Sequence, residues 1–488
     1  MSTAAAAGKL NGATGPGAAH EAPSLPVDSL ASAAVRLDAD AALAEILARS
    51  DTREKFIPVT RDAIIERLSA DAMWPAGMAG SVRKFFRYLN QWRQQSYGAK
   101  LIDLARLYEP FSPDSDLLVT RQYSEAERKS MEAQLVDGVC GLMQQANYVR
   151  IDPSHVDLIL TKDSAYGLDL HVDLDAFDEL EIYYRGATKR TDSRRSLRNL
   201  YLRKEEFDVP IFQRLAILFK LKPEAKRVEE LMRKHGISLE QAERRVRRLR
   251  GPIASYIKPE FIYVKLFKNI PRSDIEMVFP NTMIRFRLFD KIKLGVTASG
   301  GLGMGVAGTL SKIAVATNPI ALAGAVAGLG GIAVRQAVNF MNQRNKYMVK
   351  MAQNLYSHAL ADNRGVMTLL AERAAEEDVK EEILLYSLLV KEHVTMADLG
   401  DADAAIENYL ATTFGIDTNF DVQDALRRLV GDGLVRIHSS GHVEALQPVA
   451  AAARIDELWD AYLDNLPDVA KREGSEYEGE RVPLDATT

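Results

Sequence analysis

From Leu294 to Val334 the chain carries one charge, Lys312, and Thr317-Asn318-Pro319 breaks the run near its middle. No other stretch of the 488 residues restricts the fold so strongly. Segments 294–316 and 320–340 each approach the roughly 20 residues that a bilayer core requires. Pro319 suits the first turn of a second helix. The reading is a two-helix transmembrane hairpin over 294–340. Gly301 and Gly305 fall four apart, as do Gly324 and Gly328. That spacing puts small residues on one helix face, where two backbones can approach closely. Arg285, Arg287, Lys291 and Lys293 precede the first span, and Arg335 lies near the end of the second. Basic flanks at both ends predict soluble parts on the cytoplasmic side and contact with anionic headgroups. A buried Gly/Ala-rich hairpin or a re-entrant segment is the competing reading. Gly and Ala are weakly apolar, and Arg335 shortens the second uncharged run.

Charge is distributed unevenly around this segment. Arg185 to Arg250 holds 20 basic and 9 acidic residues, whereas Glu376 to Leu466 holds 6 basic and 19 acidic. These two parts are expected to face different surroundings. The one cysteine, Cys140, excludes an internal disulfide framework and fits a reducing compartment. Its setting, LVDGVCGLM, is that of a buried structural thiol.

Taken in order, residues 1–50 read as a disordered Ala/Gly-rich tail and 51–147 as a helical segment. There Thr60 is a candidate N-cap, and Val82, Phe85, Phe86, Leu89 and Trp92 form an apolar stripe at helical spacing. Residues 148–293 read as a basic α+β domain. Leu168, Leu170, Val172 and Leu174 alternate with Asp169, His171, Asp173 and Asp175, the pattern of a half-buried strand. Ile182 to Tyr184, Leu215 to Phe219 and Phe261 to Phe267 read as further strands, and Glu224 to Arg250 as basic helix. Residues 341–376 form a helical connector, 377–466 an acidic unit of three helices, a strand and a wing hairpin, and 467–488 a disordered tail. The fold class expected is α+β, mainly helical, with the transmembrane hairpin between an α+β part and a C-terminal winged-helix-like domain.

Lys265 to Thr282 (KLFKNIPRSDIEMVFPNT), Glu54 to Leu68, Leu107 to Asp116 and Ile182 to Gly186 resemble the transmembrane protein 143 family. The likeness covers most of residues 50–466. It implies an uncharacterised membrane protein with two spans, of bacteria, plastids and mitochondria, and supplies no catalytic residues. The placement expected is the bacterial inner membrane, with soluble domains in the cytoplasm.

Asp169, His171 and Asp173 on one strand face, with Asp175 beyond, could bind a divalent metal. Exposed strand charges are the commoner meaning of such a pattern, and no second ligand cluster with suitable spacing accompanies it. The basic segment, from Arg194 and Arg195 to Arg244–Arg250, could meet anionic lipid or nucleic acid. The acidic winged-helix-like unit repels DNA, because non-specific DNA affinity comes chiefly from Lys and Arg on phosphates. No phosphate-cradling loop, HExxH or GxSxG occurs. The expectation is therefore no catalytic, cofactor or metal residues and no nucleic acid. The partners expected are the bilayer, an unknown protein and a possible second copy. The function expected is a membrane-anchored scaffold or adaptor, the alternatives being a membrane-bound enzyme acting on lipid headgroups through residues 148–270 or a membrane-tethered regulator.

Overall fold

The computed structural model describes residues 53–151, 169–195, 204–285 with short breaks after Gly251, 357–466 and 473–483. Helix α1 (Arg61–Leu68) begins at Thr60, whose side chain accepts from the Ala63 amide, as its N-cap position predicts. Helix α2 (Ala79–Tyr108) buries Val82, Phe85, Phe86 and Leu89, the apolar stripe of the sequence. After β1 (Arg121–Gln122) comes α3 (Glu125–Gln145), opened by a Ser124/Glu127 capping box.

A five-stranded antiparallel sheet follows, in the order β2-β4-β5-β6-β8. Its strands are β2 (Val149–Ile151), β4 (Phe177–Arg195), β5 (Lys204–Leu221), β6 (Tyr263–Pro271) and β8 (Ala359–Asp362). A small separate pair joins β3 (Asp169–Val172) to β7 (Thr282–Arg285). The expected strands over Ile182–Tyr184, Leu215–Phe219 and Phe261–Phe267 all lie in this sheet, although β6 begins only at Tyr263. The unbroken run Leu215–Phe219 is central and covered on both faces. Leu215, Ile217 and Phe219 join one apolar cluster, while Ala216 and Leu218 join another. Between β5 and β6 the basic segment forms two helices, α4 (Glu224–His235) and α5 (Leu239–Arg250). Gly236, at φ +62°, ends α4, and Ser238 caps α5.

Helix α6 (Asn363–Leu389) runs through the middle of the molecule. Asn363 enters it at φ +50°, and its Oδ1 accepts from the Val264 amide of β6 at 3.1 Å. Ala359–Asp362, expected as helix, is therefore held as the edge strand beside β6. Then come β9 (Val394–Thr395), α7 (Leu399–Phe414), α8 (Val422–Gly431), β10 (Val435–Ile437), β11 (His442–Ala445) and α9 (Pro448–Asp464). The sheet order β10-β11-β9, with α6, α7 and α8 as the three helices, is a winged-helix topology. The second half of α6 shares one core with α1, the start of α2 and this unit, and its first half shares another with α3 and the sheet. Finally, β12 (Ser475–Glu476) pairs with β1, so part of the stretch read as a disordered tail folds back onto the α2–α3 connection.

The fold class requires one correction. Among the described residues no helix is long and apolar enough to cross a membrane. The long helices α2 and α6 carry charged residues along their length. The hairpin expected over 294–340 lies outside the described residues. Its apparent span rested on lack of charge, with Gly and Ala as the main apolar content. Small side chains bury little apolar area, so they contribute little transfer free energy. The described residues are α+β with no membrane-spanning helix among them, so neither the transmembrane hairpin nor the inner-membrane placement derived from it is supported.

Candidate functional site

Six consecutive residues of α6, Glu377-Asp378-Val379-Lys380-Glu381-Glu382, are all buried, and five of them are ionisable. Burying charge is costly unless each charge is paired and hydrogen-bonded. Partners arrive from several directions. From α2, Arg93 Nε donates to both Glu382 oxygens at 2.9 and 3.0 Å, and Tyr97 donates to Asp378 at 2.7 Å. From α8, Arg428 donates to Glu382 at 2.8 Å and Glu381 at 2.5 Å, lies 3.2 Å from Asp378, and bonds Asp424. Asn147, at φ +59° just beyond α3, donates to Glu381 at 2.9 Å. The Asp432 carboxylate takes up the remaining face of Arg93.

Between Asp378 and Glu381, Lys380 donates to the Ile57 and Val59 carbonyls at 2.7 and 3.3 Å and to Glu377 at 2.9 Å. Glu377 accepts from the Ile57 amide at 3.1 Å and lies 3.5 Å from Arg185. Arg185 of β4 is sandwiched over the Phe56 and Tyr148 rings. The cluster thus joins α2, α6, α8, β4 and the segment before α1 in one ionic joint.

Its protonation follows from charge counting. Asp378, Glu381, Glu382, Asp424 and Asp432 face two guanidiniums, Arg93 and Arg428, so negative charge is in excess when all five are ionised. Burial pushes the Glu381 carboxyl up to about 8 and Glu382 up to about 7, against the pull of the arginines, and raises Asp378 as well. For Arg428 burial acts the other way, but Asp378, Glu381, Glu382 and Asp424 outweigh it and hold the guanidinium charged. We read the joint as sharing a proton among its carboxyls while both arginines stay charged.

Oxygens of Asp378, Glu381 and Asp424 lie within 4.8 Å of one another, close enough to converge on a cation. Arg428 already contacts all three. The guanidinium takes the position a metal would need, and the donor set does not fit an additional ion. Two acids of the Asp169–Asp175 face, Asp173 and Asp175, are also committed elsewhere. Arg227 of α4 holds Asp173 at 3.0 Å, and Lys234 holds Asp175 at 2.9 Å.

Of the residues expected to contact lipid or pack membrane helices, Arg285 ends β7 opposite Asp169. Arg287, Lys291, Lys293, Gly301, Gly305, Gly324, Gly328 and Arg335 lie outside the described residues. Cys140 is half-buried, and burial pushes its thiol up to about 11, consistent with a structural role.

The ionic joint was not anticipated from the sequence, where Glu377 to Glu382 simply opened the acidic winged-helix-like unit. A signal was present. The residues that follow it, Ile383 to Leu389, are apolar but for Ser387, whereas Val366 to Ala375 before it keep Thr368, Glu372 and Arg373 exposed on one face. A helix apolar nearly all round is buried, so the charged run leading into Ile383–Leu389 had reason to be buried with it.

Residues 177–365 match the family model described as Protein of unknown function (DUF3754). The match runs from β4 to the first turn of α6. It supports the resemblance read from the sequence only at the level of a domain of unknown function, and lends nothing to a membrane character. No solved structure matches the chain.

Proposed function

We propose that this protein is a non-catalytic scaffold or adaptor that works by protein contact through its winged-helix-like unit. The observation that carries this reading is the direction of Arg428. Helix α8 is the third helix of that unit, the position from which a helix-turn-helix reader enters the major groove. Its Arg428 turns inward onto the carboxylates of α6, and Arg427 is paired with Asp424 at 2.7 Å. A nucleic-acid reader needs such cations on phosphate. The outward surface instead carries Asp456, Glu457, Asp460 and Asp464 of α9, all exposed, among the apolar side chains of Val449, Trp459 and Leu463. Exposed aromatic and aliphatic groups rimmed by charge suit a protein partner.

The test compares the full chain with an Asp456→Lys/Asp460→Lys variant. Affinity capture with quantitative proteomics is expected to recover a partner with the parent and lose it with the variant, while both chains melt alike. Fluorescence anisotropy with duplex DNA at low salt is expected to show no salt-dependent binding. DNA binding by the parent, or capture profiles indistinguishable between the two chains, would overturn the reading.

A further inference from the structure

Helices α4 and α5 hold an apolar groove between them. Each has 12 residues, a length at which a helix alone is marginal in water. Their common core is small: Leu231, Ala242 and Val246 are buried, with Val228, Met232 and Ile237 packed partly against them. The rest of the molecule holds the hairpin by one side of α4, where Arg227 meets Asp173 at 3.0 Å and Lys234 meets Asp175 at 2.9 Å. Val228 and Met232, four residues apart, lie on the other side of α4. With Leu239 and Val246 of α5 they give the apolar lining of a groove of about 540 Å³. Leu239 is 54% exposed, so the groove is open to solvent.

Charge is sorted around it. Residues 224–250 hold nine Lys and Arg against five Glu. Three of those five acids, Glu224, Glu229 and Glu243, line the groove, but only one of the nine bases, Arg247. Glu224 lies 3.2 Å from Arg250 and Glu243 3.8 Å from Arg247, and both carboxylates remain open to solvent. Glu229 is exposed and forms no ion pair among the described residues. Lys226, Arg227, Lys234 and Arg244 are paired with Asp178, Asp173, Asp175 and Glu240, so much of the hairpin's positive charge is neutralised locally. An acidic rim over an apolar lining selects its occupant by charge as well as by shape.

We propose that the α4–α5 groove receives a basic amphipathic helix of a partner protein, which completes a three-helix bundle. The apolar stripe of that helix, at i, i+3, i+4 and i+7, lies against Val228, Met232, Leu239 and Val246, and its Lys and Arg side chains reach Glu224, Glu229 and Glu243. An acidic helix of the same shape meets the rim with like charge. The groove is built on different elements from the α9 surface, and the inference stands whether or not the adaptor reading holds.

The probe is a dye-labelled peptide of about 18 residues, five helical turns, made of Leu, Ala and Lys with leucine along one helical face and lysine on both flanks. It is titrated with the full chain and followed by fluorescence anisotropy. Saturable one-to-one binding with a micromolar dissociation constant is expected, weakening as salt is raised. The same peptide with Glu in place of Lys is expected not to bind. Leu239→Gln, at an exposed position, and Glu229→Lys/Glu243→Lys are each expected to weaken the Lys peptide about tenfold, and the charge-reversed variant is expected to gain binding of the Glu peptide. Asp456→Lys/Asp460→Lys is expected to bind as the parent does, which separates this groove from α9. Melting temperatures of all variants control for folding. Absence of saturable binding by the parent, equal binding of the two peptides, or an affinity unchanged in both groove variants would overturn the proposal. Binding of phosphatidylserine vesicles, or self-association of the parent, that Leu239→Gln removes would assign the groove to lipid or to a second copy and overturn it as well.

Discussion

Glu381 shows how one buried carboxyl ties stability to pH. Its unfolded side chain ionises near ~4.3, whereas burial holds the folded group up to about 8. Between these values the folded chain binds the additional proton, so stability falls as pH rises. The contribution is complete below the unfolded value and is lost as pH passes the folded one. Thermal melts from pH 5 to 8.5 are expected to show a declining midpoint in the parent and a flatter profile in Glu381→Gln, which keeps the shape without the ionisation. Lys380 makes a sharper case because its ammonium reaches two backbone carbonyls and Glu377. Lys380→Met takes this donor from both carbonyls and the nearest cation from Glu377, and breaking a buried pair in this way costs about 3–5 kcal/mol. Urea denaturation is the measurement.

At the scale of elements, the β4–β5 pair depends on a single glycine. Gly186 sits at φ +72° inside β4, and a Cβ there would lie 2.5 Å from the Gln213 side chain. The conformation turns the Gly186 amide toward Glu54, at 3.2 Å, while the ladder keeps its register on either side, Arg185 with Arg214 and Ala187 with Phe212. Gly186→Ala is expected to cost about 1–3 kcal/mol through backbone strain alone, read as a lowered denaturation midpoint. The C-terminal strap is a second such device. Arg121 donates to the Glu473 and Gly474 carbonyls, and Arg106 pairs with Glu473. Removing residues 473–488 frees the edge of β1, and limited proteolysis is expected to cut near Leu117 and Leu118, both already exposed.

For the whole molecule, α6 is the shared strut. One half lies in the core of the winged-helix-like unit and the other in the core of the sheet, with the ionic joint at their meeting point. Two packed bodies that share a rigid, fully paired helix are expected to melt together. Arg428→Ala removes the cation that α8 supplies to Asp378, Glu381 and Glu382. Differential scanning calorimetry is expected to show one transition in the parent and two in this variant, the winged-helix-like unit melting first. A single unshifted transition in the variant would show that the joint does not couple the two bodies.

Local order was legible in the chain itself. The Thr60 cap, the Val82–Leu89 stripe, the apolar Leu215–Phe219 strand and the helix-helix-helix-wing order follow from periodicities of 3.6 and 2 and from turn chemistry, which act over a few residues. Long-range pairing was not. Arg93 and Glu382 are 289 residues apart, and Lys380 and Ile57 are 323 apart. Whether a charged run meets solvent or a set of counter-ions depends on what folds over it. In the same way His438 and His442 of the wing are neighbours along the chain, but only strand register brings His393 beside them. The sequence by itself determined where charge concentrates and most of the helices and strands, but not Ala359–Asp362 or Ser475–Glu476, which are strands because β6 and β1 lie beside them. Tertiary structure alone decided which of those charges are buried, because burial depends on partners that the chain supplies from far away.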